Sequence, residues 1–126
     1  MDTLDASFSV VPHIERREVH WTVEGLFDEP TSRALQKALF KASQPLIEDS
    51  EGFRVIADMR NFAVQPREIA SIIEETQVGS ANLGVRKMAV LYSSMLVKQQ
   101  IRRVSKTMEI EFFHDRADAL EWLRAN

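Results

Sequence analysis

Two stretches of this chain, Phe53-Arg54-Val55-Ile56-Ala57-Asp58-Met59 and Met88-Ala89-Val90-Leu91-Tyr92, are nearly unbroken apolar runs of strand length. Strands of that kind need cover on both faces, which helices laid against a parallel sheet supply. The intervening sequence provides such helices. Ala34, Leu35, Ala38, Leu39 and Ala42 recur at helical spacing behind Asp28-Glu29-Pro30, a capping acid followed by an early proline. Ile69, Ile72, Ile73 and Thr76 share a face after Gln65-Pro66, and Gly79 or Gly84 offers the left-handed residue that closes a helix. Val97, Gln100, Ile101, Val104 and Met108 make a third stripe, with Ser93 or Ser94 placed to cap it.

The remaining segments complete an alternating plan. Phe8-Ser9-Val10-Val11 and Val19-His20-Trp21-Thr22-Val23 read as a hairpin turning near Glu15-Arg16-Arg17, with Gly25 ending its second strand. Pro12 cannot donate to a ladder, so the first strand belongs at an edge. Pro45 should stop or kink the first helix near Ser43, ahead of the acidic loop Glu48-Asp49-Ser50-Glu51-Gly52. Ile110-Glu111-Phe112-Phe113 is the last strand, and Asp115-Arg116-Ala117-Asp118 caps a terminal helix containing Ala119, Leu120, Trp122 and Leu123. The result is an α/β fold of order β-β-α-β-α-β-α-β-α, a mixed sheet in which strands two to five run mainly parallel under packed helices. Connections are short and no linker interrupts them, so residues 1–126 read as a single domain.

Composition closes off several functions. Cysteine is absent, which removes disulfides, thiolate metal sites and a cysteine nucleophile. A formal net charge of −3 argues against general nucleic-acid binding. No apolar run approaches the roughly 20 residues that span a bilayer, and the start Met1-Asp2-Thr3-Leu4-Asp5 is acidic where a secretion signal is basic, so the expectation is a cytoplasmic protein without a transmembrane segment. His13, His20 and His114 lack metal-ligand spacing, and no glycine-rich phosphate loop is present, so neither a metal nor a cofactor is expected.

Ligands of open α/β sheets sit beyond the carboxyl ends of the strands. The candidates there are Asp58, Arg60, Asn61 and Phe62, then Tyr92, Ser93 and Met95, with His114 and Asp115 after the last strand. A serine, a histidine and an aspartate at one rim would suit a small hydrolase or isomerase built on Asp58, His114 or Ser93. Tyr92-Ser93-Ser94-Met95 nevertheless lacks the glycines of a nucleophile elbow, and helix capping accounts for the same residues. Asp58 follows a buried run and is costly there without a partner, so it either accepts backbone amides in the following turn or anchors a ligand, while Arg60 could pair with it or bind an anion. Phe62 and Met95 could line an apolar cleft or a contact surface, and a twofold homodimer is the default form of self-association. Lys98, Arg102, Arg103 and Lys106 fall opposite the apolar stripe of the third helix, either as a solvated face or, with Arg86 and Lys87, as an anion patch.

The element order, the run Gly52-Phe53-Arg54-Val55-Ile56-Ala57-Asp58 and the ending Phe112-Phe113-His114-Asp115-Arg116-Ala117-Asp118-Ala119-Leu120-Glu121-Trp122-Leu123 resemble the SpoIIAA-like fold from about Phe8 onward. That group takes in the STAS domains of anti-sigma-factor antagonists and sulfate transporters, and small bacterial proteins of the STAS/SEC14 type. The resemblance implies a bacterial, non-catalytic module that binds a protein partner or a small apolar or lipidic ligand. Regulatory members of the family carry a phosphorylatable serine or threonine just after the aspartate that ends the central strand. The corresponding stretch here, Asp58-Met59-Arg60-Asn61-Phe62-Ala63-Val64, has no hydroxyl, so a phospho-switched regulator would need another site such as Ser93 or Ser94.

Overall fold

A computed structural model describes residues 5–47 and 51–125, so Met1 to Leu4, Asn126, and Glu48, Asp49 and Ser50 of the acidic loop lie outside the described residues. The elements follow in the expected order: β1 (Ser7–His13), a 3-10 turn (Ile14–Arg16), β2 (Glu18–Gly25), α1 (Glu29–Ile47), β3 (Phe53–Phe62), α2 (Arg67–Leu83), β4 (Val85–Leu91), α3 (Met95–Val104), β5 (Ile110–Phe113) and α4 (Arg116–Arg124). The sheet order is β1-β2-β3-β4-β5. β1 runs antiparallel to β2, and every later pair is parallel. Strand order therefore equals chain order, and β3 lies at the centre.

This topology sets what each face of the sheet meets. The parallel crossovers lay α1, α2 and α3 on one face, where Val19, Trp21 and Val23 of β2, Val55, Ala57 and Met59 of β3, and Met88 and Val90 of β4 form the main core with Leu46, Ile69, Ile72, Val97 and Ile101. The chain then turns back, and among the described residues α4 alone covers part of the other face, setting Ala119 and Leu123 on Ile56, Ala89 and Leu91. That explains why the β3 and β4 runs are apolar at nearly every position.

Local chemistry ends each element. Asp28 accepts from Thr31 N at 2.8 Å, Ser94 from Val97 N at 3.3 Å and Asp115 from Asp118 N at 2.9 Å, each satisfying an amide that a helix start leaves free. Gly84, at φ 112°, closes α2, whereas Gly79 lies inside that helix. Pro45 does not stop α1. The helix runs on to Ile47, because only its last turn lies beyond the proline and that turn places Leu46, 3% exposed, in the core. In contrast, α3 ends at Val104, before Met108, which is still buried but sits on the connection to β5.

β3 extends three residues past the apolar run, and its pairing with β2 shifts between Thr22 and Glu24. Thr22 faces Asp58, but Glu24 faces Asn61, so β3 holds one extra residue there. The bulge reverses the alternation: Phe62 turns into the main core, edge-on to Phe27 with ring centroids 5.4 Å apart, while Arg60 and Asn61 stay exposed at the rim.

Candidate functional site

The bulge assembles a polar cluster where β3 leaves the sheet. Asp58 Oδ1 accepts from the Arg60 backbone amide at 3.1 Å and from Arg60 Nε at 3.0 Å, and Oδ2 lies 2.7 Å from Arg60 Nη2. Asp58 is thus at once the acceptor of its turn and the ion-pair partner of Arg60. Arg116, entering α4, adds a second cation 3.9 Å from Oδ2. The Arg60 hydrogen bonds hold the Asp58 carboxyl below the usual carboxylate range despite partial burial. Alongside, Asn61 donates to Glu24 Oε2 at 3.2 Å and Ser7 to Glu24 Oε1 at 3.3 Å.

A residue that patterning did not single out organises the loops beside this cluster. Gln65, 4% exposed, accepts from Phe27 N at 2.8 Å and donates to Gly25 O at 3.1 Å and Ala63 O at 2.6 Å. Its backbone amide and carbonyl are taken by the Gln100 side chain of α3, at 2.8 and 2.9 Å. One glutamine pair therefore stitches the loop after β2, the loop after β3 and α3 into a single rim. A glutamine next to the Pro66 that opens a helix was the available signal, but apart from Ala63 its partners lie 35 to 40 residues away in the chain.

The stitched segments present large apolar side chains to solvent: Leu26 at 48% exposure, Val64 at 45%, Met95 at 57% and Leu96 at 65%. Of the sequence candidates, Asp58, Arg60, Asn61, Ser93 and Met95 are accessible at this rim, whereas Phe62 and Tyr92 are buried beneath it. Tyr92 stacks on His114 at 4.6 Å between centroids, and both ring nitrogens of His114 lie 3.4 Å from Tyr92 oxygens. No hydrogen bond joins Ser93 to His114 or Asp115 among the described residues, so no relay for a serine nucleophile is assembled.

The basic residues of α3 are only partly opposite its apolar stripe. Lys98 Nζ lies 5.0 Å from the Tyr92 ring and Arg102 4.9 Å from the Phe112 ring, while Arg103 and Lys106 are exposed, Lys106 beyond the helix end. Arg86 and Lys87 do not join them. Arg86 donates to Glu51 O, and Lys87 reaches the carbonyls of Trp122 and Ala125.

A second polar group lies at the other end of β2. Glu18 is 1% exposed, and its carboxylate receives Arg124 Nε and Nη2 at 2.9 and 3.1 Å and lies 2.9 Å from His20 Nε2. Burial pushes this carboxyl up, but the hydrogen bonds and charges of Arg124 and His20 outweigh it and hold it below the usual range. Burial lowers His20 despite that partner, and it stacks on His13 with centroids 3.9 Å apart. Among the described residues no cluster of three His, Asp or Glu is placed to hold a metal ion, and no helix is long and apolar enough to cross a membrane. The apolar pocket lined by Trp21, Phe27 and Phe62 measures about 30 Å³, and grooves of about 280 Å³ between α1 and α2 and about 600 Å³ between β1 and α1 lie away from the rim.

A family model described as SpoIIAA-like matches residues 19–124, from the start of β2 to the end of α4. The chain belongs to the SpoIIAA-like family. Its fold is similar to that of an uncharacterised Shewanella loihica protein with a SpoIIAA-like fold (TM-score 0.75, 14% identity, 98% of each chain covered). It is also similar to an anti-sigma factor antagonist from Mycobacterium paratuberculosis (TM-score 0.64, 16% identity, 94% of this chain and 96% of that one). No curated protein matches the sequence. At the end of its central strand this chain carries exposed Arg60 and Asn61, and Leu26, Val64, Met95 and Leu96 are exposed on the stitched segments.

Proposed function

We propose that this chain is a non-catalytic regulatory module that docks a protein partner on the rim formed by Leu26, Val64, Met95 and Leu96 beside the Asp58–Arg60 pair. The observation that carries the reading is the exposure of those four apolar side chains on segments that the Gln65 and Gln100 hydrogen bonds hold together. Exposed apolar residues scattered singly mean little, but a contiguous group framed by charge marks a contact surface. The similarity to an anti-sigma factor antagonist supports a partner that is a protein. The 30 Å³ cavity speaks against a small apolar ligand buried in the main core, since pockets for such ligands run to roughly 300–1,000 Å³.

The test is capture by crosslinking from the source cells, with the wild-type chain, with Met95→Asp/Leu96→Asp and with Arg16→Ala at the opposite end of β2. A partner held by the first and third and released by the rim variant supports the reading. Retention by a folded rim variant refutes it. Native mass spectrometry of the captured species separates a second copy of the chain from a different protein.

A further inference from the structure

We propose that the outer face of α3 recognises an acidic segment of the partner protein, an inference that rests on the rim being the docking surface. The helix contains no carboxylate, yet Lys98, Arg102 and Arg103 lie on it and Lys106 follows it. None of these four cations forms an ion pair among the described residues. Other cations are taken up within the fold: Arg60 and Arg116 meet Asp58, Arg33 meets Glu75, Arg124 meets Glu18, and Arg86 and Lys87 bind backbone carbonyls. The chain as a whole is acidic at −3, so without these four cations the remainder stands at −7. Positive charge without an ion-pair partner is thus grouped along α3 and just beyond its end, with no carboxylate on the helix to offset it.

The arrangement on the helix suits a second chain. Met95, Gln99 and Arg102 fall at successive four- and three-residue steps, with Leu96 and Arg103 beside them and Lys106 just past the helix end. An exposed apolar tip at the rim therefore continues into a basic stripe over about 15 Å of helix. Lys98 and Arg102 rest on the Tyr92 and Phe112 rings, which fixes their charged ends before any partner arrives. A lipid surface fits this geometry less well. Helices that lie on membranes sink their apolar face into the acyl boundary, and the apolar face of α3 is already in the core, with Val97 at 1% and Ile101 at 0% exposure.

Isotope-labelled full-length protein titrated with a synthetic peptide carrying Glu and Leu at helical spacing tests the idea. A Gln-for-Glu version of the peptide and phosphatidylcholine vesicles containing phosphatidylglycerol run in parallel. Acidic recognition requires amide shifts across Met95 to Lys106, affinity that falls with added salt, little binding of the Gln peptide, and a loss of about tenfold or more in Arg102→Glu/Arg103→Glu. Arg103→Glu/Lys106→Glu, both at exposed positions, repeats the measurement without disturbing the contact of Arg102 with Phe112. Peptide shifts elsewhere, or affinity unchanged by both reversals, overturn the inference. So does vesicle binding that the reversals abolish when the peptide does not bind. If the acidic peptide fails while Met95→Asp/Leu96→Asp still releases the captured partner, acid recognition falls alone. If that release fails too, both readings fall.

Discussion

Replacing Gln65 by alanine should destabilise the protein by about 3 kcal/mol, although the substitution lies in a loop. Truncation leaves the Phe27 amide without its acceptor at a position 4% exposed, and an orphaned buried donor costs about 1–3 kcal/mol. Two donated bonds are lost as well, each worth roughly 0.5–1.5 kcal/mol. The lower end applies to Gly25 O, which keeps the Ala63 amide at 3.2 Å. For a chain of this size the total corresponds to a fall in Tm on the order of 10 °C. Urea unfolding followed by circular dichroism should show a lower midpoint with an unchanged slope. Gln65→Glu separates hydrogen bonding from volume, because its carboxylate still accepts from Phe27 N but faces two carbonyls that the amide had satisfied. That variant should be the less stable of the two at neutral pH and should recover as the carboxyl is protonated. A Gln65→Ala protein within about 0.5 kcal/mol of wild type, the range of an ordinary surface change, would refute the assignment of Gln65 as the tie of the rim.

The Glu18 carboxyl and His20 are both lowered in the folded protein, so the unfolded chain binds their protons more readily and stability must decline on acidification. His20 contributes first, below about pH 6.5, and Glu18 below about pH 4.3; the midpoint in urea should fall less steeply between about pH 7 and 5 in His20→Asn than in wild type. Arg124→Met strands a buried carboxylate and should cost about 2–4 kcal/mol at neutral pH, with the deficit shrinking at acid pH, read from the same curves. Gly52→Ala should cost about 3 kcal/mol by thermal denaturation, since its φ is +75° and a Cβ would stand 2.6 Å from Gly84 O. Asp115→Ala should remove about 1 kcal/mol through loss of the α4 cap, visible as faster amide exchange in its first turn.

Patterning reads the architecture of this chain well because its signals are local. The apolar runs at β3 and β4, the capping acids at 28 and 115 and the helical stripes place every strand and helix in the right order. It reads Phe62 poorly, because strict alternation assigns that residue to the open face and only the β2–β3 register shift turns it inward. The helix stop expected at Pro45 fails for a related reason: the clash of a proline is local, whereas the burial of Leu46 that offsets it is tertiary. Tyr92, offered as a site residue, is a core side chain that backs the rim from beneath. Asp58, Arg60 and Asn61 come together as expected, since they are neighbours in sequence. Gln65 and Glu18 escape notice because a polar residue reveals its role only through partners, and Arg124 is 106 positions from Glu18.

The identity of strand order and chain order bears on how the protein is made. Each strand emerging during synthesis finds its mate already present as the exposed edge of the growing sheet, with one helix of intervening chain to close. Assembly can therefore proceed from the first hairpin toward β5 without waiting for distant sequence. The clamp on Glu18 is the exception. Until α4 has left the ribosome and delivered Arg124, the carboxylate at the start of β2 remains open to water, and the sheet face that holds Ile56, Ala89 and Leu91 has no cover. That apolar face, rather than the strands themselves, is what a chaperone would meet on an unfinished chain.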